Sequence, residues 1–118
     1  MLLAIAATGI AAIWLAFRSD VQAAEQRVTG KSQVVQTRHG TMEYAEQGRG
    51  PPLLMIHGTG GGFDQGLLFS KDIIGSGIRV IAPSRFGYLR SGWPADPSSE
   101  RQAEVMSSPG AKMSTQVP

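Results

Sequence analysis

Leu53-Leu54-Met55-Ile56-His57-Gly58-Thr59-Gly60-Gly61-Gly62 is the stretch from which the rest of the chain becomes readable. Four apolar residues in a row read as a buried strand. They stop at a His-Gly pair and a run of glycines. Glycine lacks Cβ and tolerates positive φ, so its backbone N–H groups approach a ligand closely. A strand that ends in such a turn presents amide donors at its carboxyl end, where open α/β sheets bind ligands.

Downstream, Phe63, Leu67 and Ile74, with Leu68 beside them, fall on one face of a helix. Asp64 lies in its first turn, where a carboxylate suits the helix dipole. Gly75-Ser76-Gly77 closes it. Arg79 to Pro83 is a second buried strand. Strand, helix and strand at these lengths make a βαβ unit with parallel strands. Upstream, Val34–His39 and Thr41–Glu46 alternate about His39-Gly40, a hairpin signal. Gln47-Gly48-Arg49-Gly50-Pro51-Pro52 is a loop. Past the second strand, Ser84 to Pro97 is polar and aromatic, and Ser98 or Ser99 caps a helix through Val105. No periodicity follows, so 106–118 is expected to be a disordered tail. The fold class is therefore α/β: an antiparallel hairpin followed by a βαβ unit, behind an apolar N-terminal helix.

That first helix is Leu2 to Phe17, almost wholly apolar and uncharged. At about 16 residues it spans roughly 24 Å against about 30 Å of hydrocarbon. Three readings stand: a signal anchor with Trp14 and Arg18 at the interface, a cleaved signal with a site at Val21-Gln22-Ala23, and a buried helix of a soluble domain. Residues 1–20 are thus taken as anchor or signal, 21–32 as a linker or frayed helical extension, and 33–105 as the folded domain. The expected location is the cell envelope, membrane-anchored or exported.

Eleven basic and nine acidic residues are scattered over 118 positions, for a net charge of +2. No basic block exists, so nucleic acid is not an indicated partner. There is no cysteine, which excludes disulfides, thiolate zinc sites and a cysteine nucleophile. Two histidines far apart in sequence, His39 and His57, give no metal signature. The glycine run is not a nucleotide loop: G-x-G-x-x-G from Gly58 would need glycine where Phe63 stands, and no Gly-Lys-Ser/Thr occurs.

Two motifs in order carry a family resemblance. His57-Gly58-Thr59-Gly60-Gly61-Gly62-Phe63-Asp64-Gln65-Gly66 resembles the HGGG-type oxyanion loop of α/β-hydrolases. Val80-Ile81-Ala82-Pro83-Ser84-Arg85-Phe86-Gly87-Tyr88-Leu89-Arg90-Ser91 resembles their D-x-R-G-x-G-x-S segment, with Ser84 in place of the aspartate. From about Gln33 to Arg101 the chain looks like the amino-terminal portion of an enzyme of the esterase, epoxide hydrolase and C–C hydrolase group. The resemblance implies a strand order 1-2-4-3-5 and hydrolysis of an ester or related bond by a serine nucleophile. It implies oxyanion donors at the Thr59 and Gly60 N–H groups. His57, Gly58, Gly61, Gly62 and Arg85 would support the loop, and Arg85 with Arg90, Phe86 and Tyr88 the rim of the site. No cofactor or metal is implied.

The same resemblance demands a G-x-S-x-G nucleophile elbow, and no serine among the 118 residues has glycine at both two-residue offsets. The acid and the final histidine of that triad are missing with it, so no catalytic residue is assigned. His57 is expected to hold its loop through ring hydrogen bonds, and His39 to be an ordinary turn residue. The helix beginning near Ser99 departs from the family pattern at about Val105, as after a frameshift or premature end. The first expectation is an inactive amino-terminal part of a hydrolase whose complete form acts on a small-molecule substrate. The second is a non-catalytic, membrane-tethered interaction module that self-associates through an exposed sheet edge. A third is complementation, with a separate chain supplying the nucleophile half.

Overall fold

The computed structural model describes residues 1–113, with side chains through Ser107. Two compact units divide the chain, one ending at Lys31 and one starting at Ser32.

The first unit is helix α1, Leu2–Val28. It is long and apolar enough to cross a membrane, with mean hydropathy 1.7 in its most apolar window and none of that window buried. Arg18 stacks over the Trp14 ring at 4.8 Å. The helix continues through most of the expected linker, because 18–28 is rich in good helix formers and holds no Gly or Pro. Of the two readings of 21–32, the helical extension is the one observed, and only 29–32 remain as a connection.

The second unit is a four-stranded sheet in the order β1-β2-β4-β3. Strands β1 (Gln33–Thr37) and β2 (Gly40–Gly48) form the hairpin, with Thr37 opposite Gly40. Its two loop residues are Arg38 and His39, one position earlier than expected, and Gly40 begins β2 at φ +106°. Neither loop residue has positive φ, which excludes a type I′ turn and leaves the left-handed step to glycine. Strand β4 (Arg79–Pro83) has the expected bounds and runs antiparallel to β2. Strand β3 (Pro52–Leu54) pairs parallel with β4, as a βαβ unit requires. It begins one residue and ends two residues earlier than expected, although Met55 N–H still donates to Ile81 O at 2.9 Å. Proline opens this strand, a position where its missing N–H is tolerated.

The intervening helix α2 is Phe63–Phe69, shorter than the run to Ile74. Ser70 stops it: its hydroxyl donates to Gly66 O at 2.7 Å, and the chain continues as turns. Helix α3 runs Ser99–Met113, past the expected end at Val105, because Val105 and Met106 are themselves buried. The last part of the expected disordered tail, 114–118, lies outside the described residues.

Side chains alternate across the sheet and divide its two faces. Met42, with Val35 opposite, joins Phe86, Val105 and Met106 in the apolar cluster under α3. Glu43, Ala45 and Ala82 face the other way, toward α2, whose Gly66 lies against Ala82 and the Met55 carbonyl. No further strand pairs with β3 among the described residues.

Candidate functional site

The glycine run forms an open loop, 58–62, between β3 and α2. His57 anchors its start and is 3% exposed. Its Nε2 accepts the Arg85 N–H at 2.9 Å, so the ring proton is on Nδ1, which donates to Gly58 O at 2.6 Å. Burial lowers the imidazole pKa below 6.5, and the Arg85 charge adds to this, against the opposing bond to Gly58. Tyr88 packs edge-on against the ring at 4.7 Å. Both ring nitrogens are engaged, so His57 holds the loop and has no free nitrogen for proton transfer. Arg85 supports the loop through its backbone N–H.

Gln65 reaches back from α2 beneath the loop. Its Oε1 accepts the Gly58 N–H at 2.8 Å, and a Cβ at Gly61 would lie 2.9 Å from its own Cβ. Asp64 Oδ1 accepts the Gly62 N–H at 3.0 Å. Gly62 is covered by Leu89 and Ser84, 2.5 and 2.8 Å from where a Cβ would stand. Leu89 holds that place at φ +49°, the one non-glycine residue at positive φ among the described residues. What remains is three consecutive amides, Thr59, Gly60 and Gly61, with no hydrogen-bond partner among the described residues. Thr59 and Gly60 are exposed. An anion or a developing oxyanion is the chemical species that such donors serve.

Behind the loop lies a cluster that sequence reading missed. Glu43, 2% exposed, accepts from Arg90 Nε at 2.8 Å, Arg90 N at 3.0 Å, Ser32 Oγ at 2.6 Å and Ser84 Oγ at 3.1 Å. Burial pushes its carboxyl pKa up, but the bonds from Arg90, Ser32 and Ser84 together outweigh it and hold it below 4.5. Ser91 bridges Glu43 N and Ser84 O at 2.9 and 2.7 Å. In the sequence Glu43 sits in an alternating strand, where a charge reads as solvent-facing.

His39 is more than a turn residue. It contacts Glu104 at 3.2 Å, and Arg38 does so at 3.0 Å, tying the hairpin tip to α3. With Pro94, Asp96 and Arg101 they line a separate charged cleft of about 470 Å³. None of the glycine-loop residues line that cleft. No cluster of three metal-ligating side chains occurs among the described residues.

The same fold recurs in solved structures. An α/β-hydrolase fold protein from Nakamurella multipartita is similar at a TM-score of 0.65, with 30% identity over 70% of this chain and 29% of that one. The chain shares the fold of the α/β-hydrolases over the matched part. The N-acyl homoserine lactonase AidH, solved with N-butanoyl homoserine, is similar at 0.57, with 33% identity over 70% of this chain and 32% of its own. An esterase from Exiguobacterium antarcticum shares the fold at 0.52 and 22% identity, over 64% of this chain and 31% of its own. The chain thus spans between 29% and 32% of the length of these solved structures. No protein-family model and no curated protein sequence matches it.

Proposed function

We propose that this chain contributes the oxyanion-loop part of an α/β-hydrolase that cleaves an ester or related bond through a serine nucleophile, and that it does not turn over by itself. One observation carries the reading. Three consecutive unpaired amides, 59–61, stand at the carboxyl end of a parallel strand, and the backbone N–H groups that flank them, of Gly58, Gly62 and Phe63, are paired with side chains. In a working hydrolase one such donor contributes about 3–4 kcal/mol to the transition state. It cannot replace the nucleophile, and no G-x-S-x-G occurs in the sequence. A lactonase and an esterase among the similar structures agree with acyl chemistry. The substrate of the complete enzyme is a small molecule, and α1 tethers or exports the protein.

The test is an activated acyl ester and a fluorophosphonate probe, with Gly60→Pro as control. No turnover above the control and no labelled serine are expected; either would overturn the reading. Translation of the DNA beyond codon 104 in all three frames provides an independent check. A shifted frame encoding G-x-S-x-G, then Asp and His, supports the hydrolase assignment.

A second reading has its own observation. Leu54 on the edge strand and Ile56 just past it are 42% and 48% exposed, and Leu68 and Phe69 on α2 are 65% and 62% exposed. Exposed apolar surface together with an open strand edge suits a tethered interaction module that self-associates.

A further inference from the structure

We propose that Glu43 is the positioning residue of the glycine loop: its buried carboxylate, acting through the Ser84 hydroxyl, fixes the Phe63 amide and with it the direction of the Thr59, Gly60 and Gly61 N–H groups. The chain of contacts is short and direct. Ser84 Oγ donates to Glu43 Oε2 at 3.1 Å and accepts the Phe63 N–H at 3.1 Å. Ser84, Glu43 and Phe63 are 0%, 2% and 1% exposed, so water does not substitute for any of the three. A hydroxyl has one proton. While the carboxylate is ionised, that proton points at Glu43 and the oxygen lone pairs face Phe63. The charge also polarises the hydroxyl and makes it a better acceptor. A protonated or amide side chain at 43 can donate instead, which turns the hydroxyl and weakens the Phe63 bond.

Phe63 directly follows the loop, and Ser84 Oγ also lies under Gly62. The amide of Phe63 therefore sets where the loop ends, as His57 sets where it begins. Of the side chains bonded to the carboxylate, Ser32 and Ser84 are neutral and Arg90 alone is charged. Arg90 is 56% exposed and does not touch the loop amides. The consequence for oxyanion binding rests on the functional reading above; the positioning itself does not.

The experiment is amide-resolved NMR of the full chain in detergent micelles. In Glu43→Gln the Phe63 amide should exchange about ten-fold faster, the loss of roughly one charge-strengthened bond. The Thr59–Gly61 amides should shift, and the Val35–Met42 ladder should stay protected. The double variant Glu43→Gln/Ser84→Asp should restore Phe63 protection, because it returns a carboxylate to within reach of that N–H. Unchanged Phe63 exchange in the folded single variant, or no rescue in the double, overturns the proposal. Should Glu43→Gln fail to fold, the wild-type chain decides. Its Phe63 and Thr59–Gly61 amides must titrate together with the Glu43 carboxyl resonance, below its ordinary 4.5; independent behaviour overturns the proposal. Acetate, added as a carboxylate probe, reads the oxyanion assignment separately at Thr59–Gly61, so the two ideas fail by different signals.

Discussion

His57 Nε2 accepts the Arg85 backbone N–H at 2.9 Å, and this single bond joins the end of β3 to the segment leaving β4. The two residues are 28 apart in sequence. Neighbouring parallel strands place them side by side, and the ring fills the gap at the carboxyl end of the sheet. Because the acceptor must be an unprotonated nitrogen, the bond exists only with a neutral imidazole.

His57→Ala should therefore destabilise the folded unit by about 1–3 kcal/mol, the cost of leaving a buried N–H unsatisfied. Denaturant unfolding of wild type and variant measures it. The pH dependence has a definite sign. The folded pKa is depressed below 6.5, so the unfolded state binds more protons in the window beneath that value. This contribution is fully present above about 6.5 and is lost as pH falls through the folded pKa. His57→Ala should remove that component of the pH profile; an unchanged profile would contradict the assignment.

Much of this arrangement was legible in the residues. Val80–Pro83 is an uninterrupted apolar run behind Arg79, and only a central strand uses such a run on both faces. His57-Gly58 followed by glycines marked the loop, because few other structures need that much backbone freedom. Glu43 was not legible. Its burial depends on Arg90, 47 residues away, and on Ser32 and Ser84, none of which a local pattern connects to it. The end of α2 was misplaced because Ser70 bonds back into the helix, a competition that apolar spacing does not report.

Gly66→Ala separates local propensity from packing. Alanine in place of glycine should gain up to about 1 kcal/mol inside a helix. Here its Cβ would stand 2.8 Å from the Met55 carbonyl oxygen and 3.0 Å from the Ala82 Cβ. The first is backbone directly after β3, still bonded to β4 through Met55 N–H, so relief requires α2 to lift from the sheet. Overpacking of this kind costs about 1–3 kcal/mol and should win. A lower melting temperature is expected; a raised one would show that α2 has room to move.

Helix α1 should carry the chain to a membrane. Its apolar part, 2–17, is exposed on every side in its own unit, which water does not favour. Cells expressing the full chain and a form lacking residues 1–20 can be fractionated and the products weighed. A membrane-bound product of full mass indicates an anchor, and a shortened soluble product a cleaved signal. If both forms stay soluble and neither is processed, the targeting reading is wrong.

The unit from Ser32 onward should associate through β3. This strand pairs with β4 on one side only, and among the described residues nothing covers the other. Inward bonding alternates along a parallel strand, so Leu54 and Ile56 present their N–H and C=O groups at the open edge. Their side chains share the face opposite α2 and are nearly half exposed, and Leu68 and Phe69 add exposed apolar surface on α2. A parallel sheet expects cover on both faces. An open edge with apolar flanks is the arrangement that templates pairing with another chain. Residues 32–118, expressed alone, should sediment as oligomers and melt broadly. Leu54→Lys and Ile56→Lys place charge where a second strand would dock, and together they should shift the distribution toward monomer without altering the β1–β2 hairpin. A monomeric parent with one sharp unfolding transition would show that the four strands form a complete sheet, and the self-association reading would fall.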